Sequence, residues 1–356
     1  MKRSLTARTA LCALRGGCAL LAGGFAALAL NGASYAQADG GAAPLPGVTV
    51  NADAARSVLT LPSLVSSGLE LSEHSVWDGV RQGPGLFGDL VYQDVKYDFD
   101  ALTSDVQLKG ASFGGAYQLT DVFSAGGALR RDATDIRFGN GDRQDYSATT
   151  LTGFLRYAEA GYGLTAAVSH SWLSFEDGVR QAGVLGQAAR NGFDGHAWQF
   201  SLLSDTFYEW GVLDLTVSNS LHYDRIRLDG AAENGAAGLA LRYGDQSLNT
   251  WRFDSDFELR TDGWRVSDTI TLTPVGAVAW NYRSNADHSL VAEMANASAD
   301  PVTLFGEGLS DHSFETRLGL EARIAERFTA GLSYGRGWGN DRHSDDRIAL
   351  SFRAQF

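Results

Sequence analysis

Between Trp251 and Arg260 the chain alternates without a break. Trp251, Phe253, Ser255, Phe257 and Leu259 fall on one side, and Arg252, Asp254, Asp256, Glu258 and Arg260 on the other. A period of two belongs to a strand, whose successive side chains point to opposite faces. The pattern recurs with Phe314, Thr316, Leu318, Leu320, Ala322 and Ile324 against Ser313, Glu315, Arg317, Gly319, Glu321 and Arg323. It recurs again in the last ten residues, where Ile348, Leu350, Phe352, Ala354 and Phe356 oppose Arg347, Ala349, Ser351, Arg353 and Gln355. In a soluble sheet the charged face is the outside and the apolar face meets a core. An outer-membrane barrel inverts this, with apolar side chains toward lipid and polar ones toward a water-filled lumen. A closing strand that ends on a bare aromatic fits the barrel.

The other end of the sequence has the order of a secretory leader. Lys2, Arg3, Arg8 and Arg15 precede the apolar run Cys18–Leu30, and small residues lead to Ala36-Gln37-Ala38. Charged, apolar and A-x-A segments in that order predict export with cleavage after Ala38. The run is shorter than the roughly 20 residues that a helical span needs. Both cysteines, Cys12 and Cys18, lie within this leader, so the mature chain has no disulfide, thiol nucleophile or cysteine metal site. The mature chain keeps 25 basic against 42 acidic side chains, a balance of −17 that argues against nucleic acid as a partner. No cofactor or metal is expected from it.

Residues 39–85 are alanine-rich and carry four of the six prolines. Within them Ser72–Gln82 is predicted as a short helix, with Ser72 as N-cap, Glu73 near the positive end, and Val76, Val80 and Trp77 on one face. From residue 86 onward twelve strands are predicted: 86–99, 105–118, 121–134, 146–158, 161–175, 193–207, 211–224, 250–260, 263–282, 312–324, 327–338 and 346–356. The second and third, rich in glycine, are poorly patterned. Tight turns at Leu119-Thr120, Ala158–Ala160, Glu209-Trp210, Thr261-Asp262 and Ala325-Glu326 alternate with longer polar loops, including 176–192, 225–249 and 283–311. Short periplasmic turns and long outer loops are the asymmetry of outer-membrane barrels. The expected fold is therefore all-β: a closed antiparallel transmembrane barrel over 86–356, with a short lumenal helix before its first strand. Trp172, Trp198, Trp210, Trp251, Trp264, Trp280 and Trp338 lie near strand ends, where amphipathic rings would form interfacial girdles.

At its late hairpins the chain resembles the autotransporter β-domain family, the twelve-stranded translocators of type V secretion. The residues concerned are Thr269–Tyr282 with its mid-strand Pro274, Leu318–Arg323 running into Thr329–Gly335, and the closing strand to Phe356. The resemblance implies insertion by the outer-membrane assembly machinery, which would recognise Leu350, Phe352 and Phe356, after passage through the secretory translocon. It implies a helix in the lumen, mapping to 72–82, and a pore that is a monomer in outer-membrane lipid. Arg252, Asp254, Asp256, Glu258, Glu315, Arg317, Glu321, Arg323 and Arg353 would face that lumen and hold the helix by charge pairing. Family members carry a long passenger between leader and barrel, whereas residues 39–71 leave room for little or none.

Three other functions share the scaffold: a solute channel, an adhesin acting through the loops 225–249 and 283–311, and a barrel hydrolase. For the last, an Asp–His pair can activate a water or hydroxyl. Asp287-His288, Asp311-His312, His343 and Ser169-His170-Ser171 are the candidates. The Asp–His dipeptides sit in or beside loops. His170 shares its parity with Val168 and Trp172, a lipid-interface position.

Overall fold

The computed structural model describes residues 52–81, 83–99, 102–182, 187–235, 239–284, 288–295, 300–306, 312–325, 327–339 and 343–355. The leader, residues 39–51 and Phe356 lie outside this set, as do Asp287 and Asp311.

Twelve strands close into an antiparallel barrel: β1 (Gly85–Phe99), β2 (Leu102–Gln118), β3 (Phe123–Phe138), β4 (Arg143–Glu159), β5 (Tyr162–Ala182), β6 (Gln187–Trp210), β7 (Leu213–Leu228), β8 (Gln246–Thr261), β9 (Ile270–Arg283), β10 (His312–Ile324), β11 (Phe328–Gly339) and β12 (His343–Ala354). Each pairs with its sequence neighbours, and β12 returns to β1 in a register running from Leu86↔Ala354 to Tyr97↔His343. Closure leaves no exposed sheet edge, the condition for strands in lipid.

The alternation sorts as a membrane barrel requires. Leu90, Phe113, Leu129, Leu151, Phe257, Leu318, Leu332 and Ile348 stand exposed on the outer wall, Leu318 at 71 %. The loop-side rings Trp172, Trp198, Trp251, Phe314 and Trp338 are also exposed, as are Tyr117, Phe123, Tyr162 and Tyr208 near the turns. These are the two interfacial belts.

The turns at Leu119-Thr120 and Ala325 fall where they are predicted, whereas Ala160-Gly161 and Gly211-Val212 sit one to two residues further on, and Ala160 (φ 49°) with Gly161 (φ 83°) gives the left-handed pair that a two-residue hairpin needs. Thr261-Asp262 is not a tight turn. Trp264–Ser267 forms its own short strand against Ile270–Leu272, so the reversal comes at Asp268-Thr269. On the opposite side the expected loop 176–192 is mostly ladder, because β5 and β6 stay paired up to Ala182↔Gln187. Among the described residues the loops 225–249 and 283–311 contribute five short strands: Asn234–Gly235 pairs with β6, and Ala231–Ala232, Leu241–Tyr243, His288–Met294 and Val302–Gly306 assemble into a second sheet.

The helix α1 spans Ala52–Arg81, thirty residues rather than the eleven expected. Ser72 therefore lies inside it and is not an N-cap.

Candidate functional site: the helix-filled lumen

α1 runs through the barrel, and every described side chain from Ala55 to Glu70 except Arg56 is buried. Its two ends are fixed by different parts of the chain. At its start Ser57 Oγ donates to Asp142 Oδ2 at 2.6 Å in the β3–β4 loop. Pro62 cannot donate to the carbonyl one turn back, which loosens the helix there. Nearby, His288 donates from Nε2 to the Leu59 carbonyl at 2.5 Å. A carbonyl can only accept, so this contact sets the histidine tautomer. At the far end Arg353 of β12 donates to the carbonyls of Gly79 (3.2 Å), Gly83 (2.8 Å) and Pro84 (3.1 Å). A cation beside the last carbonyls satisfies orphan acceptors and complements the helix dipole. α1 therefore begins among the long loops and ends among the short turns.

Around its first half the lumen holds an apolar cluster. Leu61, Leu64, Val65 and Leu69 pack with Val95, Tyr97, Ile136, Phe175, Ile226 and Leu228 from the walls and with Leu290 and Leu304 from the loop sheet. Burying each such side chain stabilises the assembly by about 1.5–3 kcal/mol. The expectation of a water-filled interior fails here, because side chains of α1 and of the walls fill the space. Lower down, Val76, Trp77 and Val80 do share a face and meet Phe87, Phe154 and Leu203.

On the opposite wall α1 meets charge. Glu70 is bonded to Arg283 and lies 3.9 Å from Arg252, which also reaches Asp224 (3.6 Å) and Asp254 (3.2 Å). His222 adds a contact to Asp254 at 3.1 Å and one from Nδ1 to Ser201 at 2.8 Å. Further toward the turns Arg317 contacts Asp256 (3.0 Å), Glu258 (3.7 Å) and Glu315 (3.9 Å), while Arg260 joins Glu258 (2.8 Å) to Glu321 (2.7 Å). Desolvated ions cost several kcal/mol each unless partnered, so such a wall is stable only as a network. Beside it a cavity of about 90 Å³, lined by Asp78, Glu258, Arg317, Glu321 and Arg353, opens at the turn end.

Of the nine charged positions singled out in the sequence, Arg252, Asp254, Asp256, Glu258, Glu315 and Arg353 are buried inside the barrel. Arg317 and Glu321 are half-buried in the same network, and Arg323 is exposed at the turn end. Leu350 and Phe352 lie on the lipid face, each 47 % exposed. Sequence reasoning missed Glu70, Arg283, Asp224 and His222. Among the described side chains from Ala55 to Glu70, Glu70 is the one acid, and the helix was not expected to reach it.

Among the described residues the candidate hydrolytic groups do not converge. Ser169 and Ser171 point inward to Thr152 and Thr150, both at 2.8 Å, whereas His170 lies outside between Trp172 and Trp198. His312 stacks against Trp280 on the outer wall. His288 is engaged with α1, as above. His343 begins β12.

The loop sheet covers the start of α1. Its buried centre is Arg180 bidentate to Glu233 (2.7 and 2.6 Å), with Tyr243 donating to Glu233 at 2.6 Å. Burial, reinforced by the Glu233 charge, pushes the Tyr243 phenol well up, keeping it a donor. At the sheet's exposed margin Arg227 holds Asp245 below the usual carboxylate range.

Comparison with known proteins gives this arrangement a context. The family described as autotransporter beta-domain matches residues 86–335. The translocator domain of NalP from Neisseria meningitidis is similar at 15 % identity and a TM-score of 0.64, over 83 % of this chain and 99 % of that one. The β-domain of the Bordetella autotransporter BrkA is similar at 14 % identity and 0.55, over 76 % and 99 %. The transport unit of AIDA-I from Escherichia coli is similar at 11 % identity and 0.50, over 83 % and 99 %. No curated protein matches the sequence.

Proposed function

The chain belongs to the autotransporter β-domain family and is an outer-membrane barrel of the translocator type; on that premise we propose that its N-terminal segment is delivered to the cell surface through the lumen and that α1 stays behind as the plug. The observation that carries this is the polarity of α1. Its end at Arg81 is tied to the turn side by Arg353, and its start is tied to the loop side by Asp142 and His288. Removal of 1–38 by the secretory machinery and insertion by the outer-membrane assembly machinery, with Leu350, Phe352 and Phe356 as its signal, belong to the same reading. The pore acts as a monomeric, non-enzymatic conduit in lipid.

An epitope tag placed at Gly47 tests the route. Antibody should reach it on intact cells. Binding only after the outer membrane is permeabilised would overturn the proposal.

A further inference from the structure

The loop-side aromatic belt is incomplete. On β5, β6 and β11, Trp172, Trp198 and Trp338 stand ten residues from the turn-side rings Tyr162, Tyr208 and Phe328. Ten residues of strand tilted by about 40° rise roughly 25 Å, the height of the apolar band. On β2 and β3 the outward positions eight residues from Tyr117 and Phe123, at roughly 20 Å, are Lys109 and Arg131. Both are exposed, and below them the outer face is wholly apolar or small: Ala111, Phe113 and Gly115 on β2, and Leu129, Gly127 and Ala125 on β3.

Several outward arginines are neutralised within the chain. Arg137, Arg143, Arg227 and Arg242 are each paired with a carboxylate. Among the described residues none pairs with Lys109 or Arg131. Arg131 is instead aimed by neutral groups on β4, donating to Ser147 Oγ at 3.0 Å and to Thr149. Immediately above lies an open groove of about 290 Å³, lined by Lys109, Asp135, Ser147, Ser174 and Glu176. Two unneutralised cations on an acidic chain, at headgroup height, call for an anionic partner. A groove of hydroxyls and carboxylates above them suits a sugar.

We propose that the β2–β4 wall binds a phosphorylated glycolipid of the outer leaflet, with its phosphate on Lys109 and Arg131 and its sugar hydroxyls in the groove. A long basic side chain just inside the apolar boundary reaches the headgroup by extending upward. The guanidinium offers planar paired donors to phosphate. This rests on membrane placement alone and is independent of the route taken by the N-terminal segment.

The test uses the full chain in nanodiscs containing lipopolysaccharide, with lipid retained through purification counted by native mass spectrometry. Lys109→Gln/Arg131→Gln should retain about an order of magnitude less lipopolysaccharide. Arg227→Gln, which alters a paired arginine on β7 away from the groove, should retain as much as the unmodified chain. Dephosphorylated lipopolysaccharide should bind the unmodified chain as poorly as the double variant binds the native lipid. Equal retention by the unmodified chain and the double variant, or indifference to dephosphorylation, would overturn the proposal. So would equal competition by phosphatidylglycerol, which would show only a general attraction to anionic lipid. Heat-dependent gel mobility confirms that each variant is folded, and the dephosphorylation arm needs no variant.

Discussion

The two halves of the lumen hold the same helix by opposite means. Toward the loops, α1 packs its apolar face into leucine, valine and aromatic side chains and bonds its hydroxyls to Asp142 and Tyr97. Toward the turns, one flank is an ionic wall carried by β8–β10, and a cavity remains beside it. Apolar burial is non-directional and excludes water, so the loop half is a seal. Ion pairs fix register, and they leave room for solvent, so the turn half acts as a seat. A translocator needs both: a conduit that is closed after use and a plug that stops at a defined depth.

The most severe way to break this contrast is to remove α1. Deleting residues 52–81 should turn a nearly silent barrel into a conducting one in planar bilayers. Unchanged conductance would show that the loop sheet, rather than the helix, closes the pore. Next comes Leu61→Ala/Leu64→Ala, which empties the seal alone. Each truncation should cost about 2–5 kcal/mol. The helix should become sensitive to protease from the loop side while the barrel keeps its heat-dependent mobility. Glu70→Gln strikes the boundary between the halves. It withdraws a charge from Arg252 and Arg283, a loss of about 3–5 kcal/mol for a broken buried pair. Frequent channel flickering is expected without full opening. The mildest is Arg353→Gln, which frees three carbonyls at one end of α1 and should cost about 1–3 kcal/mol. Faster hydrogen exchange confined to the last turn of α1 would mark it.

The same contrast decided what was legible in the sequence. β8 and β10 were clear because Arg252, Asp254, Asp256 and Glu258, or Glu315 and Arg317, alternate with apolar residues on the lipid side. β2 and β3 were faint for the converse reason. Inward Val106, Leu108 and Ala128 are as apolar as outward Phe113 and Leu129, because the helix packs on them. The helix itself was visible only over 72–82, where it leaves the seal. Between Ala55 and Leu69 its polar stripe is made of small hydroxyls, Ser57, Thr60, Ser63 and Ser67, residues that favour a helix only weakly. Pro62 also weighs against a continuous helix when only local propensity is read. The ladder at 176–192 and the short loop strands were missed because their pairing partners lie in tertiary contact, where no local period points.

Arg353 sits on β12, the strand that pairs with β1 across most of the chain, yet its guanidinium grips the peptide just ahead of β1. Bringing together ends so far apart in sequence is the slow, entropically costly event of folding such a ring. The residue that rewards that event also stops the helix. Ring closure and plug seating therefore share one transition, and a half-zipped barrel with a settled plug, or a finished barrel with a loose one, is a state the chain has little reason to populate.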